Sequence, residues 1–297
     1  MRPAPPVLSL VIVNWNTKDL LRACLASIQR YPPSSRYEVI VVDNDSSDRS
    51  AAMVRDEFPR VTLIALPSNT GYARGNNQGF KEARGEYILA LNPDTEFVDG
   101  SLDRAIRILQ GNPGIGVLGA RQIGVGGEVQ RSIRGFPSLV GIFGDVTGLG
   151  RLFPRSALGS YRLTQFDYTK QQEAPQPMGT FLLFRREALK DVDNLKEPFD
   201  EEFPIFFNEV DLLYRLKARG WPCLYAPDVR VLHHGGESTK LVRKSMIWES
   251  HRSLVRFLRK HILTQWNLPV VLLVSGIIYL AAFVRARGYS PGFAPNL

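Results

Sequence analysis

The apolar positions in the first hundred residues switch between two periods. Leu8–Val13, Val39–Val42 and Tyr87–Leu91 are short, nearly unbroken apolar runs. Such runs predict strands buried on both faces of a parallel sheet. Between the first two, Leu20, Leu21, Cys24, Leu25 and Ile28 recur at helical spacing, which predicts a helix over Thr17–Arg30. The second strand extends back to Tyr37. A second helix is predicted over Asp48–Phe58, with Asp48 as its N-cap. Val61–Leu66 gives a third strand. The Gly/Asn-rich stretch Thr70–Gly79 then leads into a helix that ends near Gly85. Alternating strands and helices imply right-handed crossovers and a mostly parallel sheet flanked by helices.

Beyond Gly100 the pattern loosens. Helices are expected at Leu102–Leu109, from Arg186–Lys190, and at Glu209–Arg219, where Gly220 closes the last. Strands are expected at Val117–Ala120, Phe181–Phe184, Trp221–Tyr225 and Val229–Leu232. From about Gly124 to Gln176 no period is clean, and a stretch of that kind reads as a substrate-covering region. Trp266–Val284 is uncharged and dominated by Leu, Val and Ile. Roughly 18 apolar residues is the lower limit for a membrane span. Pro269, Ser275 and Gly276 interrupt the segment, so three readings stay open: an interfacial or re-entrant anchor, a single span, and a core helix. Arg252–His261 alternates basic and apolar residues, which suits a helix lying on anionic lipid.

These patterns divide the chain into an α/β domain over 1–240 and a C-terminal helical, membrane-associating segment over 241–297. Within the domain, residues up to about 100 form a nucleotide-binding half and residues 101–240 an acceptor half. A hydrophobic content of 44% over 297 residues supports a substantial core. The net charge of +8 fits nucleic acid, an anionic membrane or anionic substrates. The first hundred residues are roughly balanced, and the excess gathers at Arg252, Arg256, Arg259, Lys260, Arg285 and Arg287. That placement favours a membrane surface and no nucleic acid. Cys24 and Cys223 lie far apart in apolar surroundings and read as buried, reduced thiols.

The chemistry sits where the strands stop. The first apolar run ends at Asn14, the second at Asp43, and the run before Asn92-Pro93-Asp94 delivers Asp94. Open α/β sheets bind ligands at this carboxyl edge. Three hydrogen-bonding side chains placed there describe a polar crevice for a nucleotide or a sugar.

Five motifs follow in order. They are Val11-Ile12-Val13-Asn14-Trp15-Asn16, Val41-Val42-Asp43-Asn44-Asp45-Ser46, Gly71-Tyr72-Ala73-Arg74-Gly75-Asn76-Asn77, Leu91-Asn92-Pro93-Asp94-Thr95 and Phe207-Asn208-Glu209-Val210-Asp211. Together they resemble glycosyltransferase family 2, the inverting enzymes of the GT-A fold, and among them the bacterial rhamnosyltransferase-like members that build cell-surface polysaccharide. The resemblance implies that Asp43 binds the nucleotide base, with Asn14 and Asn16 lining the same pocket. Arg74 would meet the diphosphate, Asn77 the sugar or ribose, and Gly179 would let backbone approach the donor or acceptor. Asp94 and His233 would bind Mn²⁺ or Mg²⁺, and Glu209 would be the catalytic base. Asp211 would contact the acceptor or support its helix by pairing with Arg215. The family commonly carries Asp-x-Asp where this chain has Asn92-Pro93-Asp94, and Glu-Asp where it has Asn208-Glu209.

The implied partners are a nucleotide-sugar donor, a polyprenyl-diphosphate-linked saccharide acceptor and a membrane surface, and the implied location is the cytoplasmic face of a bacterial inner membrane. One rival reading is a nucleotidyltransferase, which needs a Gly-rich, basic loop after the first strand where this chain has Asn14-Trp15-Asn16-Thr17. The other is a catalytically degenerate, membrane-associated binding protein of the same family.

Overall fold

The computed structural model describes residues 4–192, 195–235 and 243–290. The expected domain boundary near 240 and the last residues of the expected C-terminal segment lie outside them. The elements in chain order are β1 (Leu8–Asn14), α1 (Lys18–Arg30), β2 (Tyr37–Asp43), α2 (Ser50–Glu57), β3 (Thr62–Ala65), α3 (Tyr72–Glu82), β4 (Tyr87–Leu91) and β5 (Thr95–Phe97). Next come α4 (Ser101–Gly111), β6 (Val117–Ile123), β7 (Ile133–Arg134), α5 (Leu139–Thr147), α6 (Leu149–Leu152), β8 (Gln172–Glu173), β9 (Gln176–Pro177) and β10 (Phe181–Arg185). The chain continues through α7 (Arg186–Lys190), α8 (Asn208–Ala218), β11 (Cys223–His233), α9 (Arg243–His261) and α10 (Leu268–Ala286).

The main sheet runs β3-β2-β1-β4-β10-β6-β11-β5, and β8 adds to β11. The first four strands are parallel. β10 is antiparallel to both β4 and β6, and β5 is antiparallel to β11. The mostly parallel sheet expected from the strand–helix alternation is therefore present, with antiparallel pairing at β10 and β5. Every residue of β1, β4 and β10 is buried, because helices cover both faces. Leu8, Leu10 and Ile12 of β1 pack with α1, α2 and α4 on one side. Val11 and Val13 pack with α3, α7 and α8 on the other. Both cysteines are buried free thiols, and burial pushes the Cys24 thiol up to about 12.

Three local features differ from expectation. Asp48 does not sit at the N-cap of α2, because Arg49 occupies it in the left-handed region at φ 68°. From one residue further out, the Asp48 carboxylate accepts from the backbone N–H of Ser50 at 3.0 Å and from that of Lys18 at 2.8 Å. One carboxylate thus serves the free N–H groups of two helices. The two expected strands after Trp221 are one strand, β11, whose register shifts between Ala226 and Arg230. The third difference is that residues 124–176 are not structureless. Ser138 caps α5 through its hydroxyl, which accepts from Gly141 N–H. Its apolar residues fall on more than one face, with Ile142 buried and Val140, Phe143 and Val146 exposed. A helix without a polar face shows no amphipathic period.

Gly220 ends α8 as expected. It sits at φ +85°, its N–H reaches Lys217 O, and Trp221 N–H reaches Leu216 O.

Candidate active site

Strand register places the polar residues of the carboxyl edge. Asn14 and Asp43 are direct partners in the β1–β2 ladder, so their side chains meet. Asn14 Nδ2 donates to Asp43 Oδ1 at 3.1 Å, and its carbonyl oxygen accepts from the Thr17 hydroxyl at 2.7 Å. The second Asp43 oxygen accepts from Ser46 N–H at 3.0 Å. Asn16, at φ 52°, accepts from Ser47 N–H at 2.8 Å. The ends of β1 and β2 are stitched to one another.

Next to them lies a cavity of about 350 Å³, a size that suits a small-molecule site. Trp15 and Asn44 contribute from the ends of β1 and β2, and Gly71 and Tyr72 from the start of α3. Asn92, Pro93 and Asp94 line it after β4, and Met178, Gly179 and Thr180 before β10. Glu209 of α8, His233 of β11 and Met246 of α9 close it.

Asp94 and His233 meet because β5 turns out of β4 and pairs with β11. Thr95 is opposite His233 in that ladder, and His234 N–H donates to Asp94 O at 3.0 Å. Asp94 Oδ2 then lies 3.5 Å from His233 Nε2, and both side chains are buried. Gln130 fixes the imidazole. Its Nε2 donates to the His233 carbonyl at 3.0 Å, so its Oε1, 2.7 Å from His233 Nδ1, must accept. Nδ1 therefore carries the proton, and Nε2 is the ring nitrogen that faces Asp94. A carboxylate and an oriented imidazole at this spacing fit two ligands of one divalent ion, whose metal–ligand distances are about 2.0–2.3 Å. Among the described residues no group of three or more His, Cys, Asp or Glu gathers, so further ligands would come from substrate and water. His234 turns away to Glu96 at 2.7 Å.

Glu209 opens α8, after Phe207 in the left-handed region at φ 67°. Burial in the cavity wall raises its carboxyl to about 7, although the backbone N–H groups of Glu209 and Val210 oppose the shift. Gly179 faces it. A Cβ on Gly179 would lie 3.5 Å from Glu209 Cγ, so a side chain there would fill the space in front of the carboxylate. Tyr72 is pushed well above its ordinary range by burial, and its hydroxyl donates to Asn92 Oδ1 at 2.9 Å.

Of the expected site residues, Asp94, Gly179, Glu209 and His233 share the cavity wall. Asn14, Asn16, Asp43, Arg74, Asn77 and Asp211 are not part of it. Asn77 was expected to meet the sugar or ribose. It is fully buried, with its amide donating to Phe199 O at 2.8 Å and to Glu201 and its oxygen accepting from Phe199 N–H. Arg74 is half exposed and lies 3.7 Å from Glu201. Asp211 pairs with Arg215 as expected, at 2.8 Å, and also with Lys260 and His261 of α9, each at 2.7 Å. Burial alone would raise the Asp211 carboxyl, but the His261 hydrogen bond and the Arg215 and Lys260 charges hold it down at about 2. Asp211 thus supports its helix and ties it to the C-terminal hairpin.

Sequence reasoning missed Gln130 and Met246. It also quoted Trp15, Asn44 and Tyr72 within motifs without giving them a place in the site.

A mostly parallel α/β sheet with this cavity at its carboxyl edge fits the GT-A fold expected from the motifs. Residues 9–193 match the model of glycosyl transferase family 2, and the chain belongs to that family. Glu209, Asp211 and His233 lie beyond the matched range. The chain is 27% identical over 296 residues to an N-acetylglucosaminyl-diphospho-decaprenol L-rhamnosyltransferase of Mycobacterium tuberculosis, covering 95% of this chain and 93% of the relative. Among solved structures, it resembles the mannosyltransferase PcManGT of Pyrobaculum calidifontis in complex with GDP-Man and Mn²⁺. That match has a TM-score of 0.57 and 17% identity, over 97% of this chain and 78% of the other. It also resembles S. aureus TarS 1-349, with a TM-score of 0.55 and 18% identity, over 94% and 82% of the two chains. These structural likenesses show the fold.

Proposed function

We propose that this protein is a metal-dependent, inverting glycosyltransferase. It moves a sugar from a nucleotide-sugar onto a lipid-linked or polysaccharide acceptor in cell-envelope glycan synthesis. The observation that carries the reading is that Asp94 and His233 share one cavity wall with Glu209, whose carboxyl is poised near neutrality. The rhamnosyltransferase name of the Mycobacterium tuberculosis relative supports a rhamnose donor, most simply dTDP-rhamnose, and a polyprenyl-diphosphate acceptor. The decaprenol-linked substrate in that name supports action at a membrane, and we place it at the cytoplasmic face of the inner membrane.

Glu209 takes the proton of the acceptor hydroxyl as that oxygen bonds to the anomeric carbon. The bond from this carbon to the diphosphate breaks, and the nucleoside diphosphate leaves with the electron pair. A base on the face opposite the leaving group inverts the centre. Asp94 and His233 would hold a Mn²⁺ or Mg²⁺ ion that neutralises charge on the departing diphosphate. Gly179 leaves room in front of Glu209 for the reacting sugars. Trp15 and Asn44 belong to the loops that carry Asn14, Asn16 and Asp43, which supports placing the base at that end. Asp43 keeps unused lone pairs for a base N–H, since each oxygen accepts one protein hydrogen bond. Arg74, at the first turn of α3, is placed to meet the diphosphate.

The test is a thermal-shift panel of dTDP-rhamnose and common UDP- and GDP-sugars, with and without Mn²⁺. One donor should raise the melting temperature by mass action, need the ion, and lose its effect in Asp94→Ala. Stabilisation by no donor in folded protein would favour the degenerate binding-protein reading.

A further inference from the structure

Among the described residues, most of the exposed large apolar side chains lie in two segments, α5–α6 with Phe153 after it and the stretch from Leu263 to Tyr289. In α10, Val271, Val274, Ile278 and Ala282 turn inward. Leu272, Leu273, Leu280, Phe283 and Val284 stay open to solvent. In α5 and α6, Val140, Phe143, Val146 and Leu152 do the same, as does Phe153 after them. The two segments are not independent. Ile142 of α5 shares one hydrophobic cluster with Val274 and Ile278 of α10 and with Val255 and Leu258 of α9. Two unpartnered apolar faces therefore border a single core. A helix that is apolar all round is stable in water only if the open face is covered.

The charges around these faces are mostly cationic, and Asp145 of α5 is paired with Arg162. Glu249 is the only acidic residue of α9, α10 and the link between them, and it is buried. Lys244, Arg259, Arg285 and Arg287 are exposed on the hairpin, and Arg151 and Arg155 on and beside α6. An apolar face rimmed by cations complements an anionic lipid surface.

The hairpin also speaks against a span. α10 is clamped to α9 at its far end, where Trp248 Nε1 donates to Gly288 O at 3.0 Å and Arg252 to the Tyr289 hydroxyl at 3.0 Å. α9 is held on the catalytic domain by Phe257 against Phe203 and Val210. Carrying α10 through a bilayer would strip it from α9 or drag Arg252, Arg256 and Arg259 into hydrocarbon, where charged side chains are strongly disfavoured.

We infer that α5–α6 and α10 together form one membrane-docking platform that lies in the plane of an anionic bilayer, with α5–α6 as its second, indispensable half. This deepens the reading of a lipid-linked acceptor. α9 carries both Met246 of the cavity wall and Val255 and Leu258 of the joining cluster, so one helix links the platform to the active site.

The test is flotation of the full chain with vesicles of phosphatidylcholine alone or mixed with phosphatidylglycerol. Binding should need the anionic lipid and be released by alkaline carbonate. The double variant Phe143→Asp with Leu152→Asp should cut partitioning by at least about tenfold, as should Leu273→Asp with Phe283→Asp. All four side chains are exposed, so melting temperature and donor-induced stabilisation should match wild type. Unchanged partitioning of the α5–α6 variant would make α10 the sole anchor and overturn the platform. Carbonate-resistant binding would establish a span and overturn it too. A dimer that these variants dissociate, with no vesicle binding, would show that a second copy covers the faces. Failure of donor binding in every protein, with partitioning as expected, would refute the proposed activity and leave the platform standing.

Discussion

Two groups of polar residues at the carboxyl edge of one sheet are used in different ways. At the ends of β1 and β2, Asn14, Asn16, Asp43, Ser46 and Asp48 bond to each other or to nearby backbone. These bonds fix two loops that are roughly thirty residues apart in sequence and adjacent in register. Around the cavity, Asp94, Glu209 and His233 come from three distant parts of the chain and face open volume. The first group fixes the scaffold and leaves Asp43 lone pairs for the base proposed to bind there, and the second is positioned to react. A carboxylate at a strand end is therefore not by itself a sign of catalysis. The sign is a polar group whose own position is fixed by others, as His233 is by Gln130, and whose functional atom points into the cavity.

The largest expected effect sharpens this contrast. Glu209→Gln should lower kcat by about 10²–10⁴-fold, because the proton has no acceptor in the transition state. The pH profile should agree. With the carboxyl raised to about 7, kcat/KM should fall about tenfold per unit below that pH in wild type, and Glu209→Gln should lack this limb. The stability sign runs the other way. A carboxylate with a raised folded pKa favours the fold when protonated, and that contribution is lost as pH rises through about 7. Urea melts at pH 8 should thus find Glu209→Gln at least as stable as wild type.

Asp211→Ala should come next and should act on stability. Arg215, Lys260 and His261 would face one another without their shared anion, which costs about 3–5 kcal/mol for a buried pair broken on one side. In wild type the contribution is complete above the ordinary carboxylate pKa of about 4 and is lost as pH falls toward the folded value of about 2. Acid unfolding of the variant should lack that component.

Gly75→Ala probes the close approach of α3 to β1. Its Cβ would lie 2.7 Å from Val13 Cγ1, and relief by small shifts should cost about 1–3 kcal/mol in a denaturant melt. Asp43→Asn is the substitution most able to break the comparison. A purely structural role predicts a loss of stability of about 1 kcal/mol and an unchanged KM for the donor. The proposed base contact predicts instead a raised donor KM at little cost in stability. Arg74→Ala should have the smallest effect on folding, within about 0.5 kcal/mol, since its ion pair with Glu201 is exposed on both sides. Any consequence should appear in the KM for the donor.

The half of the fold with buried parallel strands was legible, because β1, β2 and β4 are apolar on both faces and each stops at a polar turn. Asp94 was legible from the end of its strand, but Glu209 and His233 only through motif resemblance, since nothing local says that β5 will pair with β11 and bring His233 beside Asp94. In the sequence, Gly71, Gly75 and Gly79 read as part of a turn leading into the helix near Asn77. Their four-residue spacing instead makes one helix face, on which Gly75 and Gly79 lie against Val13 and Val11. Gln130 carries no local signal, because its role depends on a turn that bonds it back to Gln122. The partners of Asp211 on α9 likewise exist only once the C-terminal hairpin docks.

The central claim is that Asp94 and His233 form one metal-dependent donor site, and titration calorimetry tests it directly. UDP, GDP and dTDP would be titrated into wild type, Asp94→Ala, His233→Ala and Gln130→Ala, with Mn²⁺ or with chelator. The account predicts that one nucleotide binds wild type only with the ion, that either ligand variant abolishes this binding, and that Gln130→Ala weakens it by about 10–100-fold. Binding of equal strength in chelator, or undiminished in Asp94→Ala and His233→Ala, would contradict it.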